Sequence, residues 1–233
     1  MATEQATPAR ISRWLGPLSG LAYVVLINVG NGLAAAGSPD VNASGEENLA
    51  YLRSNVGPKV TAGLALELLG FVAFVFFIGY LYRLLRNAEA RDGWLSAVAL
   101  IGGIATVSVK LSSLAAVIAA DLRRDVLSAD LARTLVDLSG GAFVVSWFTT
   151  GIFLLGIAAS GLQTAVVPKA ICWTGLLLAV GCLAGTVSPF AGPAVLPFVL
   201  SMLWTIALSL VLTRRSMRAA PGGQPAKGWA VEL

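Results

Sequence analysis

Histidine is absent from all 233 residues of the chain. Without an imidazole, His-based general acid/base catalysis, His metal ligation and the Ser–His or Cys–His nucleophile pairs are excluded. Cysteine is scarce, with only Cys172 and Cys182. They fall in one apolar segment, ~15 Å apart if it is helical, well beyond the ~4.4–6.8 Å Cα range of a disulfide. Both read as packing residues, and they leave the redox compartment open. Charge is the third shortage: Asp, Glu, Lys and Arg make up 12% of the chain, against roughly 25% in a soluble domain. There is no P-loop, dinucleotide fingerprint, H-E-x-x-H or G-x-S-x-G. These absences predict no catalytic residue, no metal site and no cofactor, and hence not an enzyme.

What the chain does have is apolar length. Hydrophobic residues make up 57% of it, gathered in six runs over 14–36, 60–82, 94–120, 140–160, 170–188 and 194–212. Each is long enough as a helix to cross a ~30 Å hydrocarbon core. The pattern predicts an all-α polytopic membrane bundle of about six transmembrane helices: a tail over 1–13, a helical domain over 14–212 and a disordered tail over 213–233. A rival reading takes the first run, with Arg10 and Arg13 before it and Ala34, Ala35 and Ala36 at its end, as a cleavable signal peptide. Asn28 and Asn31 within the run, and its length, argue against cleavage.

Positive charge sets the orientation. With the N-terminus inside, Arg10, Arg13, Arg83, Arg86, Arg91, Lys169, Arg214, Arg215, Arg218 and Lys227 are cytoplasmic, and Arg53, Lys59, Arg123, Arg124 and Arg133 are outside. Ten against five favours both termini in the cytoplasm. Trp14, Tyr82, Trp94 and Trp173 then lie at cytoplasmic helix ends, as an aromatic belt would. The excess of +4 is thereby absorbed by topology, and nucleic acid is not expected as a partner. The first and third connecting loops, both outside, carry amphipathic spacing. Ser44 stands three residues before Glu47, a capping-box interval followed by Leu49, Leu52 and Val56; Leu122, Val126, Leu131, Leu135 and Leu138 recur in the other loop. Both predict short amphipathic helices, which either connect membrane helices or cover an outward-facing cavity.

Two ionisable side chains lie deep in apolar runs: Glu67 and Lys110. Such a charge costs ~2.5–3.5 kcal/mol on insertion scales and usually turns inward to a partner. Helical rise puts Glu67 ~10 Å and Lys110 ~15 Å below the outer ends of adjacent antiparallel helices. Nearly equal depth predicts a buried Glu67–Lys110 ion pair. Gly63 and Gly70 share the Glu67 face, and Gly103, Thr106 and Ser113 share the Lys110 stripe, so both faces are suited to close helix contact. Asn28, Asn31, Ser146 and Thr150 fall in the same outer-half layer. Together, Glu67, Lys110, Asn28, Asn31, Thr106, Ser113, Ser146 and Thr150 form the candidate ligand-binding set. The G-x-x-x-G spacings at Gly16–Gly20 and Gly181–Gly185 indicate helix packing within the chain and leave a homo-oligomer open.

The order of features resembles a bacterial family of small, functionally uncharacterised polytopic integral membrane proteins. The resemblance rests on a first helix, then the polar segment Gly45-Glu46-Glu47-Asn48-Leu49-Ala50-Tyr51-Leu52. A helix with an early acid follows, and later Asp137-Leu138-Ser139-Gly140-Gly141-Ala142-Phe143. It implies a multi-pass protein of the bacterial plasma (inner) membrane and supplies no catalytic residue. Two functions follow as expectations. One is binding or transport of a small polar or amphiphilic ligand, an ion or a proton, in an outer-half pocket, with the lipid bilayer as constant partner. The other is a non-catalytic scaffold or partner subunit whose charges are architectural.

Overall fold

A chain poor in charge and rich in apolar residues can bury its backbone polar groups in lipid only by closing them on one another, which a helix does within a single segment. The computed structural model describes residues 7–89, 93–188 and 194–218, and its regular elements are all helical. They are α1 (Thr7–Ala34), α2 (Gly45–Ser54), α3 (Pro58–Ala88), α4 (Trp94–Arg123), α5 (Ala129–Thr164), α6 (Lys169–Val187) and α7 (Leu196–Arg218). Six are long and apolar enough to span a membrane; α2 is not. The chain is therefore an all-α, multi-pass membrane bundle, and an even number of crossings returns both ends to one side.

Three local details depart from the sequence expectations. The amphipathic stretch of the third loop is not a separate helix: α4 continues through Arg123 and α5 begins at Ala129. The Ser128 hydroxyl accepts the Leu131 N–H at 3.3 Å and starts α5 there. Leu131, Leu135 and Leu138 thus belong to its first turns. The helical domain also reaches further at both ends, since α1 starts at Thr7 and α7 runs to Arg218. The rest of the expected tails, 1–6 and 219–233, lies outside the described residues.

Around the bundle the spans follow chain order, α1, α3, α4, α5, α6, α7, with α7 closing back on α1 and α3 also touching α5. Small residues set the tightest contacts. At the α1–α3 crossing a Cβ on Gly63 would lie 2.7 Å from the Gly30 carbonyl oxygen, and at α4–α5 one on Gly156 would lie 2.5 Å from the Ala99 nitrogen. The G-x-x-x-G pairs also pack within the chain, Gly16 and Gly20 against Tyr80 and Phe77 of α3, Gly181 against Pro197. Large apolar side chains such as Leu69, Phe76, Leu177 and Val180 remain on the perimeter, where lipid covers them. Trp14, Trp94 and Trp173 are exposed near the ends of α1, α4 and α6 on the side of the termini.

On the opposite side α4 and α5, ~45 and ~54 Å long by helical rise, outreach a ~30 Å hydrocarbon core. Against their protruding ends lies α2, and Leu49, Leu52, Ala120, Leu127 and Ala132 form a second small core there. Its polar attachments reach both sides of the bundle. Arg53 Nε donates to the Arg124 carbonyl at 3.3 Å, and Asn55 Nδ2 donates to the last carbonyl of α1, Ala34, at 2.8 Å. The expected capping box is formed. Ser44 N–H and Oγ–H donate to Glu47 Oε2 at 2.7 and 3.0 Å, and Glu47 N–H donates to Ser44 Oγ at 3.2 Å. These bonds, the backbone one first, hold the Glu47 carboxyl below the usual carboxylate range.

Two predictions follow from these contacts. Gly63→Ala forces the α1 and α3 backbones apart and lowers stability by about 1–3 kcal/mol in detergent unfolding. Gly79→Ala, whose Cβ meets open space, leaves stability unchanged or raises it by up to about 1 kcal/mol. Because the Glu47 carboxyl is depressed in the folded state, its contribution is present above the ordinary glutamate value and lost as pH falls through the folded one. Amide protection in α2, corrected for intrinsic exchange, falls when pH is taken from about 6 to below about 4, and Glu47→Ala flattens that dependence. Equal protection of the parent at both pH values would contradict the capping account.

Candidate functional site

The glycines flanking Glu67 place it. Gly63 packs on Gly30 and Ala34 of α1, Gly70 packs on Ile27, and a Cβ on Gly30 would come 2.8 Å from Glu67 Cγ. The close-approach face around Glu67 is real, but it meets α1, not α4. Lys110 turns elsewhere. Its Nζ lies 3.9 Å from the centroid of the Phe143 ring on α5 and 4.8 Å from that of Phe198 on α7. Both side chains are half-buried.

The ion pair that equal depth predicts is not formed. Among the described residues the ion pairs are Arg124–Asp121 at 3.1 Å and Arg133–Asp137 at 3.7 Å, both on the surface. Glu67 and Lys110 form no ion pair with each other. The reason is azimuth. Helical rise brings the two residues to one level, but the glycine seam commits the Glu67 face to α1, and aromatic faces take the Lys110 ammonium. A cation over a ring is worth roughly 0.5–2 kcal/mol, more as it is desolvated.

The other expected residues divide among three places. Along the α4–α5 seam, Thr106 Oγ1 lies 3.0 Å from Thr149 Oγ1, and Ser113 bonds the Ser139 carbonyl and hydroxyl at 3.0 and 2.9 Å. Thr149 donates to the Ser146 carbonyl at 3.0 Å, and Ser146 Oγ donates to the Phe143 carbonyl at 2.5 Å, one turn beneath the ring that carries Lys110. Between α1 and α7, Asn28 Nδ2 donates to the Val24 carbonyl at 2.8 Å and approaches Met202 Sδ at 3.4 Å. Asn31 is exposed, at a register between the α1 residues that meet α3 and those that meet α7. Thr150 is alone at the centre, buried and without a hydrogen-bond partner among the described residues. The set therefore does not converge on one charged pair.

Aromatic residues are the part that sequence reasoning missed. Phe143 stands edge-on to Phe198 and Trp147, with centroids 5.2 and 5.6 Å apart. Tyr23 stacks on Phe74 at 4.2 Å, which meets Phe153 edge-on at 5.4 Å. A phenylalanine in an apolar run gives no sign of whether it will pack in the core or receive a cation. Among these rings a cavity of about 20 Å³ lies between α1, α3, α5 and α7, lined by residues including Tyr23, Thr150, Phe198, Ser201 and Thr205. A wider, open depression of about 760 Å³ lies beside α2, with Asp40, Glu47 and Tyr51 on its walls. Cys172 and Cys182 are free and buried.

The fold defines a class, the polytopic α-helical membrane proteins, with Glu67 and Lys110 half-buried and in no ion pair among the described residues. Compared with known proteins, the chain matches no family model, no curated protein and no solved structure.

Double-mutant cycles read the charge geometry directly. Glu67→Gln and Lys110→Met should couple by less than about 1 kcal/mol, whereas removing one partner of a closed buried pair costs roughly 3–5 kcal/mol. Lys110→Met and Phe143→Leu should couple by about 0.5–2 kcal/mol. The reverse ranking of the two cycles would mean that Lys110 is held by Glu67.

Proposed function

We propose that this membrane protein binds a small polar or amphiphilic ligand in the half of the bundle next to α2, with Glu67 and Lys110 as separate anchors of opposite charge. The observation that carries this reading is that two ionisable side chains on the neighbouring helices α3 and α4, half-buried and at nearly one level, do not close into an ion pair, the Lys110 ammonium lying over aromatic rings instead. Charge at such depth is costly, and a purely architectural pair would recover most by closing. The ring faces of Phe143 and Phe198 hold the Lys110 ammonium in place and leave its N–H donors for a ligand acceptor. The exposed amide of Asn31 adds a donor and an acceptor on the α1 side.

The excess of Lys and Arg on the side of the termini argues that this half faces outward, and the family resemblance argues for a bacterial plasma membrane. Transport of the ligand, or of an ion or proton, would use the same two charges. A non-catalytic scaffold or partner subunit is the second reading. It is favoured by the small volume of the central cavity, about 20 Å³, far below the roughly 300–1,000 Å³ of ordinary ligand pockets.

The test is thermal unfolding in nanodiscs against anionic, zwitterionic and neutral lipids and against small zwitterionic and charged solutes. At least one class should raise the parent's midpoint, and Glu67→Gln and Lys110→Met should each abolish that rise while remaining folded. If the double variant keeps every ligand-dependent shift of the parent, the anchors are not anchors and the scaffold reading stands.

A further inference from the structure

Independently of the charged anchors, we infer that the central cavity between α1, α3, α5 and α7 is a binding site for a single structural water, held by Thr150, Ser201 and Thr205. The cavity, at about 20 Å³, clears the roughly 10–15 Å³ that one water needs and is too small for a larger ligand. Three hydroxyl-bearing side chains on its wall are almost wholly buried: Thr150 at 7% exposure, Ser201 at 5% and Thr205 at 5%.

Their hydrogen-bonding capacities match a water in number and kind. Ser201 Oγ donates to the Phe198 carbonyl at 2.6 Å and Thr205 Oγ1 to the Ser201 carbonyl at 2.8 Å, so each has spent its only proton and keeps lone pairs to accept. Thr150 Oγ1 has no protein partner among the described residues and retains a proton to donate. A water that accepts from Thr150 and donates to Ser201 and Thr205 makes three bonds, the usual number for a buried water. It also removes the cost of an unpaired hydroxyl in the membrane interior.

The position gives this water a structural task. Thr150 belongs to α5 and the two acceptors to α7, so the water joins two spans that otherwise meet through the Phe143, Trp147 and Phe198 rings. Phe198 lines the cavity and also supports the Lys110 ammonium. The water thus steadies the turn of α7 that carries one wall of the Lys110 cradle.

The experiment has opposite signs for a wet and a dry cavity. In detergent unfolding, Thr150→Val keeps the shape and removes the donor. If the water is bound, the variant unfolds at a lower midpoint than the parent, and Thr150→Ser, which keeps the hydroxyl, falls less. A valine variant with an unchanged or higher midpoint would overturn the inference, because replacing an unpaired buried hydroxyl by a methyl is neutral or favourable. If the valine variant does not fold, the parent decides: a structure at water-resolving resolution should show density about 3 Å from Thr150 Oγ1, and its absence would be equally decisive against. Exchange of sodium chloride for choline chloride separates water from a cation. No shift in the parent's midpoint is expected, and a fall on removal of sodium would assign the cavity to the ion instead.

Discussion

Hydrocarbon offers no hydrogen-bond partner, and the interior of this protein is organised by that constraint. The seven helices of the described residues close the backbone on itself, and most interior hydroxyls then lean on it. Ser146 bonds the Phe143 carbonyl, Thr205 that of Ser201 and Thr213 that of Ser209. Such bonds satisfy the side chain without reaching another helix. Contact between helices rests on a few hydroxyl bonds, such as Ser113 to Ser139, and otherwise on shape, for which the bundle uses glycine, at Gly30 and Gly63 between α1 and α3 and at Gly102 and Gly156 between α4 and α5.

The same seams decide what the two deep charges can do. By drawing α1 onto the Gly63–Gly70 face of α3, the first seam turns Glu67 toward α1. By drawing α5 onto α4, the second brings the Phe143 ring over Lys110. Lys110 is thus held by its aromatic neighbours, while the stem of Glu67 packs along α1. Opposite charges kept apart in a low-dielectric interior still attract over distance, and here no salt bridge joins the two.

At the α2 end, the polar loop segments do not hang free. The Ser44–Glu47 box starts a ten-residue helix whose apolar face is buried on the protruding ends of α4 and α5, while Asn55 ties its far end to the last turn of α1. The link connects the α1–α3 part of the bundle to the α4–α5 hairpin on the side where both deep charges lie. Gly37 and Gly57, at φ +74° and +113°, bracket this segment and allow the sharp turns that lead into and out of it.

Much of this was legible in the residues alone. Six apolar runs became the six spans, the serine and glutamate three apart became a capping box, and Gly63 and Gly70 marked a close-contact face. The depth of Glu67 and Lys110 was also readable, because rise along a helix is a local quantity of ~1.5 Å per residue. What lies opposite a residue is not local. Whether Glu67 meets Lys110 depends on how each helix is rotated about its axis and on which neighbour its glycines admit, and that is settled by packing among all six spans together. The cradle of Phe143 and Phe198, the continuity of Leu131–Leu138 with α5, and the unpartnered hydroxyl of Thr150 are of this second kind. Sequence by itself determined that six segments are long and apolar enough to cross a membrane and at what level Glu67 and Lys110 sit; only the tertiary structure decided that those two stay apart, since level follows from chain geometry and partnership from long-range packing.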